Sequence, residues 1–391
     1  MHRSLNVRLK PKTWPNNTPP QSLLNLQGAQ DIDIFGFMLM IGYCTVPSHA
    51  ARHSINALWA WMRYFGALSP DSEFRLSDDF SELDPHQKTI LSDDFGMGMS
   101  MHLMSRALGL QMFCDGKYFI DRLSHRVRCN ITASKAKSGP RKSPDFVGVD
   151  GAGKWHVIEC KGTQSGPDYG NRQLSGGVLQ KNAIRFASSI CGESLVTGFE
   201  IARTDLATNS RFVIRDPEPE VPPLEIEDDE IDQTLETMAR GKIARCLTLA
   251  GAPNLSRFVA APFGDNPENR ADTILDAGSR DRSERFRAAG IEDLKRLDMK
   301  DGYFGREATF ELPFRIETPK GTFGRARVKT EVASDVVEYW EAQAESDGLP
   351  DDVLDEAQEN LARGKIESDS DGSSGELRDG RLYRSQINFL A

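Results

Sequence analysis

Residues 143–162 restrict the fold more than any other stretch of this sequence. The apolar residues at 146–149 predict a short first strand, and residues 154–160, rich in aromatic and β-branched side chains, predict a second. Residues 150–153, Asp-Gly-Ala-Gly, lie between them and supply the small, flexible chemistry of a hairpin loop. The stretch therefore predicts a β-hairpin.

The second strand carries two charges inside an otherwise apolar run. Because side chains alternate between the faces of a strand, Glu159 and Lys161 share a face with Trp155 and Val157. A half-buried charge needs a partner or a metal ion. The pattern predicts such a partner close to Glu159.

The first strand supplies a candidate. If the loop has three residues, Asp150 pairs with Lys154, and Asp145 lies opposite Glu159 at a Cβ distance of about 5 Å. Two carboxylates this close repel unless a cation lies between them, and Mg²⁺ is typically held by carboxylates, waters and substrate phosphate. Lys161 on the same face could hold a water or a phosphate oxygen. A two-residue loop would instead shift the register by one and move Asp145 to the other face.

The spacing of these residues is similar to a known nuclease motif. Pro144-Asp145, thirteen further residues and Glu159-Cys160-Lys161 resemble the signature of the PD-(D/E)xK superfamily, the restriction-endonuclease-like fold. The resemblance implies an α/β fold with a mixed sheet and metal-dependent hydrolysis of phosphodiester bonds. It implies that Asp145, Glu159 and the backbone carbonyl of Cys160 bind Mg²⁺ or Mn²⁺, and that Lys161 orients a water or stabilises developing negative charge.

One segment is strongly basic within an acidic chain. Residues 117–142 contain eight Lys or Arg and one acidic residue, Asp121. The end of this segment directly precedes the motif, and phosphate binding needs local positive charge. We therefore predict nucleic-acid contacts from Lys135, Lys137, Arg141 and Lys142. A solvated surface loop is the alternative interpretation.

A second group of candidate contacts follows the hairpin. Residues 163–177 contain four glycines and predict a loop, and the spacing of apolar residues predicts a helix over 177–190. Some members of the superfamily carry a Gln and a Tyr four apart on this helix, but here Gln180 is followed at that spacing by Ile184. We predict Gln180 and Lys181 as further nucleic-acid-binding residues.

The remaining local patterns predict secondary structure elsewhere in the chain. Residues 1–30 predict an extended arm, residues 97–108 a helix preceded by Asp93 and Asp94, and residues 368–380 a mobile segment. Some superfamily members carry an extra acidic residue on the helix before the hairpin, and we predict no equivalent here. Strands are predicted at 111–120, 193–201 and 211–214, and a hairpin at 309–317 and 321–331.

Composition shifts divide the chain into five predicted segments. They are an N-terminal arm and helical region (1–95), a nuclease-like core (96–215), an acidic Pro-rich linker (216–232), a C-terminal α+β region (233–345) and an acidic, partly mobile tail (346–391). Six dispersed cysteines, no signal-peptide core and no apolar run long enough for a membrane span predict a cytoplasmic protein with no membrane partner.

The expected function is a metal-dependent nuclease, acting on DNA in preference to RNA, in a bacterial restriction, phage-defence or repair role. A partner protein or a second copy of the chain is a further candidate for binding. The alternative is a catalytically inactive nuclease-fold module that binds nucleic acid or scaffolds a partner protein. The net charge of −10 favours a third option, a general interaction protein.

Overall fold

The computed structural model describes residues 1–47, 58–126, 143–217, 224–260, 277–345 and 354–391. These parts of the chain form a mixed α/β structure with 11 α-helices and 15 β-strands. None of the described helices is both long enough and apolar enough to cross a membrane.

The helices are α1 (Gln21–Leu24), α2 (Ile34–Cys44), α3 (Leu58–Tyr64), α4 (Pro85–Ala107), α5 (Gly116–Arg126), α6 (Pro167–Lys181), α7 (Ile231–Ala250), α8 (Pro253–Ala260), α9 (Ala277–Leu294), α10 (Ser334–Glu345) and α11 (Glu356–Ala362). The strands are β1 (His2–Leu9), β2 (Gly28–Asp33), β3 (Leu110–Asp115), β4 (Phe146–Asp150), β5 (Trp155–Thr163), β6 (Ile184–Phe186), β7 (Cys191–Glu200), β8 (Arg211–Arg215), β9 (Leu224–Ile226), β10 (Asp298–Lys300), β11 (Tyr303–Thr318), β12 (Gly321–Ala333), β13 (Ile366–Ser370), β14 (Ser374–Asp379) and β15 (Tyr383–Leu390).

A seven-stranded mixed sheet has the order β2-β1-β8-β7-β5-β4-β3. Strands β3, β4 and β5 run antiparallel in turn, and β7 then pairs with β5 in parallel. A parallel neighbour requires a crossover, and α6 lies in the connection from β5 to β7. The interior strand β5, paired on both sides, is buried at all but one of its residues.

The N-terminal residues join this sheet, so the prediction of an extended arm is wrong. β1 lies between β2 and β8, antiparallel to the first and parallel to the second. Its alternate residues Leu5, Val7 and Leu9 are buried, which is the period of a strand with one face in the core. The sheet thus contains strands from both sides of the predicted boundary at residue 95.

Two element boundaries around the hairpin also differ from prediction. α4 begins at Pro85 and not near Met97, because Asp84 caps it by accepting hydrogen bonds from the backbone N–H groups of His86 and Gln87 at 2.8 and 3.1 Å. The predicted strand at 111–120 ends at Asp115 and is followed by α5. The early start of α4 places Asp93 within a helix.

The glycine-rich residues 163–177 are largely helical, which contradicts the predicted loop. α6 spans 167–181, and the predicted helix over 177–190 is correct only at its start. A Cβ on Gly170 would lie 3.0 Å from the Glu200 side chain, and one on Gly177 would lie 2.9 Å from Val196 Cγ1. These two glycines let the helix lie close against β7, so they reflect packing and not a turn.

The C-terminal part forms a six-stranded antiparallel sheet of order β10-β11-β12-β15-β14-β13. The predicted hairpin is confirmed as β11 and β12, although both strands are longer than expected. The predicted mobile segment at 368–380 is wrong, because it overlaps β13 and β14. Leu377 and Asp379 of β14 are buried, and the many Ser, Asp and Gly residues of the segment explain why its composition suggested a mobile chain.

Helix α7 connects the two sheets through buried charges. Lys242 and Asp379, both almost fully buried, pair at 2.5 Å between Nζ and Oδ1. Arg245 Nη2 lies 2.9 Å from Asp115 Oδ1 at the end of β3. Removing one partner of a buried pair leaves an uncompensated charge, so α7 holds the C-terminal sheet against the end of β3.

A very close backbone crossing joins α4 to β5. A Cβ added to Gly162 would lie only 1.7 Å from the carbonyl oxygen of Ser92, and one added to Gly96 would lie 2.6 Å from the backbone nitrogen of Gly162. Backbone contacts this close leave no room for a methyl group. The two glycines therefore determine how near α4 comes to the end of β5.

We expect Gly162→Ala to lower the free energy of unfolding by about 2 kcal/mol or more, because the new methyl group meets backbone atoms that cannot rotate away. Gly176→Ala on α6 is the matched control, since a Cβ there would meet no atom within 4 Å, and we expect it to leave stability unchanged or raise it by up to about 1 kcal/mol. Urea denaturation of both variants checks this. Equal stability of Gly162→Ala and wild type would show that the backbones of α4 and β5 do not approach this closely at Gly162.

Candidate active site

The hairpin register agrees with the three-residue loop. Phe146 pairs with Ile158 and Val149 with Trp155, and the backbone N–H of Asp150 donates to the carbonyl of Lys154 at 3.0 Å. Gly153 in the loop has φ of +75°, a conformation that glycine adopts without strain. The same register places Asp145, directly before β4, opposite Glu159.

Asp145 is tied to the motif on β5 by a backbone contact. Its Oδ2 accepts a hydrogen bond from the N–H of Cys160 at 2.7 Å. The backbone N–H of Gly116 at the start of α5 donates to the Asp145 carbonyl at 2.9 Å. Both ends of the residue are thus held, and its carboxylate is directed toward β5.

Glu159 is completely buried and forms an ion pair through Oε1 with Lys161 Nζ. The side chain of Lys161 also donates to Gln180 Oε1 at 3.0 Å. Glu159 Oε2 has no hydrogen-bond partner within the described parts of the chain. A buried carboxylate oxygen without a donor is costly, so this atom is suited to a ligand that supplies positive charge.

Burial governs the protonation of both acids. It raises the pKa of Glu159 to about 8, with the Asp145 charge raising it further and Lys161 opposing the shift. Burial likewise raises the pKa of Asp145 to about 6, against the effects of Lys161 and the Cys160 N–H. Burial therefore favours the protonated form of Glu159 more strongly than that of Asp145, while the ion pair with Lys161 favours the ionised form of Glu159.

The environment of Lys161 keeps its ammonium protonated. Burial lowers its pKa, but the charges of Glu159 and Asp145 outweigh burial, and the net pKa is raised. A lysine with a raised pKa is a poor base near neutral pH. Lys161 is therefore suited to donating hydrogen bonds and to stabilising negative charge.

The donors that face one another fit a hard divalent ion better than zinc. Two carboxylates and a neighbouring backbone carbonyl match the one or two protein carboxylates that Mg²⁺ uses, with waters and phosphate completing its shell. Among the described residues there is no group of three or more His, Cys, Asp or Glu side chains placed to hold a metal ion. The buried, unpartnered Oε2 of Glu159 agrees with this ligand class.

The thiol of Cys160 takes no part in this arrangement. Cys160 is buried, and its pKa is raised well above the ordinary range by burial first and by Asp145 second. The thiolate is the nucleophilic form of cysteine. The side chain therefore serves packing, and only its backbone belongs to the site.

Asp93 of α4 is a site residue that the sequence patterns did not predict. The pKa of Asp93 is raised, because partial burial outweighs the opposing effect of the Lys161 charge. The charge of Asp93 in turn raises the pKa of Asp145. These couplings place a third carboxylate near the motif. The Asp84-Pro85 start of α4 was the signal that would have put Asp93 on a helix beside the hairpin.

The structure brings Gln180 to the site but places Lys181 elsewhere. Lys181 is fully buried, and its Nζ donates to the Ser194 carbonyl at 2.6 Å and to Asp216 Oδ1 at 3.2 Å. Its ammonium is engaged inside the fold. The predicted contacts Lys135, Lys137, Arg141 and Lys142 lie outside the described residues.

Comparison of the chain with family models, with curated proteins and with solved structures finds no match in any of the three. The chemistry of the site is therefore inferred from its own residues.

The raised pKa values predict how the stability of the metal-free protein changes with pH. Glu159 binds a proton more tightly in the folded than in the unfolded chain, so its contribution is present below about pH 4.5 and is lost as the pH rises through about 8. We therefore expect the stability of Glu159→Gln relative to wild type to rise between pH 5 and 8, by at most about 1.4 kcal/mol per pH unit.

Thermal or urea unfolding of both proteins in EDTA, at several pH values, measures this difference. The exposed carboxylate variant Asp168→Asn on α6 is the matched control, and its stability relative to wild type should not follow the same curve. A constant difference between Glu159→Gln and wild type across this range would contradict the raised pKa of Glu159.

Proposed function

We propose that this protein is a metal-dependent nuclease that hydrolyses phosphodiester bonds. The observation that carries the proposal is the buried Glu159 carboxylate, whose Oε2 has no partner in the described structure, facing Asp145 and joined to Lys161. The order of α4, β3, β4, β5, α6 and β7 supports it, because helix, three strands, helix and strand is the order expected from the superfamily resemblance, apart from α5 between β3 and β4.

Asp145, Glu159 and the backbone carbonyl of Cys160 would hold Mg²⁺ or Mn²⁺. When bound, such an ion polarises the scissile phosphate and makes a water more acidic. Its charge would also favour the ionised form of Glu159, which burial otherwise disfavours. Metal and substrate binding would therefore be coupled to release of a proton from this pair.

Lys161 is the residue that acts on the reacting phosphate in this proposal. Its protonated ammonium can donate to a phosphate oxygen or hold a water, which stabilises charge as it develops. Gln180 accepts a hydrogen bond from the same ammonium at 3.0 Å and so positions it. Asp93, coupled electrostatically to Lys161 and Asp145, adds negative charge on the α4 side.

DNA as the substrate, and a restriction, phage-defence or repair role, rest on the resemblance of the motif. The basic residues of segment 117–142 favour a polyanionic substrate. A cytoplasmic location is likewise part of the proposal and follows from the cysteine pattern.

A second candidate is an inactive nuclease-fold module that binds nucleic acid or scaffolds a partner protein. It is favoured by one observation, the direct ion pair of Glu159 with Lys161, which neutralises both groups without a metal. Cleavage separates the two candidates, because only the first requires a reaction at the Asp145–Glu159 pair.

We expect wild type to cleave DNA in Mg²⁺ or Mn²⁺, Lys161→Ala to lower the rate about 100-fold or more, and Gln180→Ala to lower it about tenfold, since Gln180 acts by positioning Lys161. Supercoiled plasmid, linear duplex, single-stranded DNA and RNA, incubated with each divalent ion, reveal the substrate class.

Asp145→Ala should abolish cleavage, while Asp168→Asn, an exposed change on the same helix as Gln180, should retain it. Cleavage that survives in Asp145→Ala would contradict the assigned site. Metal-independent binding without cleavage on any substrate would favour the inactive module.

A further inference from the structure

Helix α6 presents a partly exposed stripe of residues that ends at the candidate site. Tyr169, Gln173, Gly176 and Gln180 recur at intervals of four, three and four residues, which places them on one helix face. Because Gln180 accepts a hydrogen bond from Lys161, the C-terminal end of this face lies at the site. We call these four residues the α6 stripe.

The N-terminal end of the α6 stripe carries an exposed aromatic ring with a cation over it. Tyr169 is 42% exposed, and the guanidinium carbon of Arg172 lies 5.5 Å from the centre of its ring. Leu179, next to Gln180, is 55% exposed. Six large apolar side chains are exposed in the described parts of the chain. Two of the six lie on α6, which indicates that the outer surface of this helix is open to a ligand.

The middle of the α6 stripe is open. Gly176 is exposed, and a Cβ placed there would meet no atom within 4 Å. Glycine disfavours a helix interior relative to alanine, and no contact among the described residues requires a glycine here. Glycine lets a ligand approach the backbone closely. Gln173 Oε1 is buried and has no hydrogen-bond partner among the described residues.

We propose that the α6 stripe binds an unpaired nucleic-acid strand next to the scissile phosphate. Tyr169 stacks on a base, Arg172 pairs with a phosphate, and Gly176 lets the sugar-phosphate backbone lie against the helix. The stripe is about 16 Å long, which is enough for several nucleotides. An exposed ring beside a cation is the combination that single-strand-binding surfaces use.

The proposal rests on the proposed nuclease function and adds that the substrate is single-stranded at the point of cleavage. Asp168 is the one acidic residue of α6 and lies in the first turn, where a carboxylate stabilises the helix terminus. The rings of a paired duplex are stacked and unavailable to Tyr169, so the stripe should discriminate against duplex.

The experiment measures binding of a short fluorescent single strand and of the matching duplex by anisotropy, in EDTA so that no cleavage occurs. We expect wild type to prefer the single strand and Tyr169→Ala to weaken that binding about tenfold, with Tyr169→Phe restoring it. Arg172→Ala should reduce the slope of log affinity against log salt by roughly 0.7. Gly176→Leu should weaken binding without loss of thermal stability, because its side chain occupies the open surface.

Two exposed residues away from α6 serve as matched controls. Leu206→Ala removes an exposed apolar side chain, and Arg327→Ala removes an exposed cation of the C-terminal sheet; neither should change the affinity. Cleavage assays on the same variants show whether the loss of binding carries through to turnover.

Unchanged single-strand affinity in Tyr169→Ala and Arg172→Ala, in a protein whose wild type binds and cleaves DNA, would overturn the role of the α6 stripe and leave the nuclease proposal standing. Tighter binding of duplex than of single strand would overturn it as well. A wild type that neither binds nor cleaves any nucleic acid would overturn both proposals.

Discussion

The rest of the structure depends on one constraint, the enclosure of three charged groups around the interior strand β5. They are the carboxylates of Asp145 and Glu159 and the ammonium of Lys161. Glu159 is fully enclosed, and Asp145 faces it from the neighbouring strand. Charges in such surroundings are strongly disfavoured unless each has a partner. Lys161 supplies one partner for Glu159, and the Cys160 N–H supplies one for Asp145. Glu159 Oε2, which has no hydrogen-bond partner among the described residues, is the reason to expect a cation.

Glycines let the covering helices come close enough to enclose these charges. Gly177 of α6 lies so near the strand that a Cβ would be 3.1 Å from Glu159 Cγ and 3.4 Å from Lys161 Cε. On the other face of the sheet, Gly96 and Gly162 allow α4 to contact the β5 backbone. The same crossing brings Asp93 within electrostatic reach of Lys161. The glycines that let the helices pack closely therefore also create the buried, charged environment of the site.

The hairpin and its charges were predictable because they depend on local information. A three-residue loop sets the register of β4 and β5, and the register sets which side chains face one another. Asp93 was missed because the helix was predicted to begin at residue 97, and α6 was misplaced because its glycines suggested a loop. Both errors concern residues whose role is close packing against a distant segment, which composition alone cannot reveal. The strand β1 was missed for a related reason, since the prolines that follow it suggested an arm.

The central claim is that Glu159 and Asp145 together bind a divalent ion, and calorimetric titration of Mn²⁺ into the metal-free protein tests it most directly. Performed near pH 7 in two buffers of different ionisation enthalpy, the titration also counts the protons released. Because the pKa of Glu159 is raised to about 8, we expect Mn²⁺ to bind with release of about one proton. We expect both the binding and the proton release to be lost in Glu159→Gln. Absence of binding in wild type, or equal binding and proton release in Glu159→Gln, would contradict it.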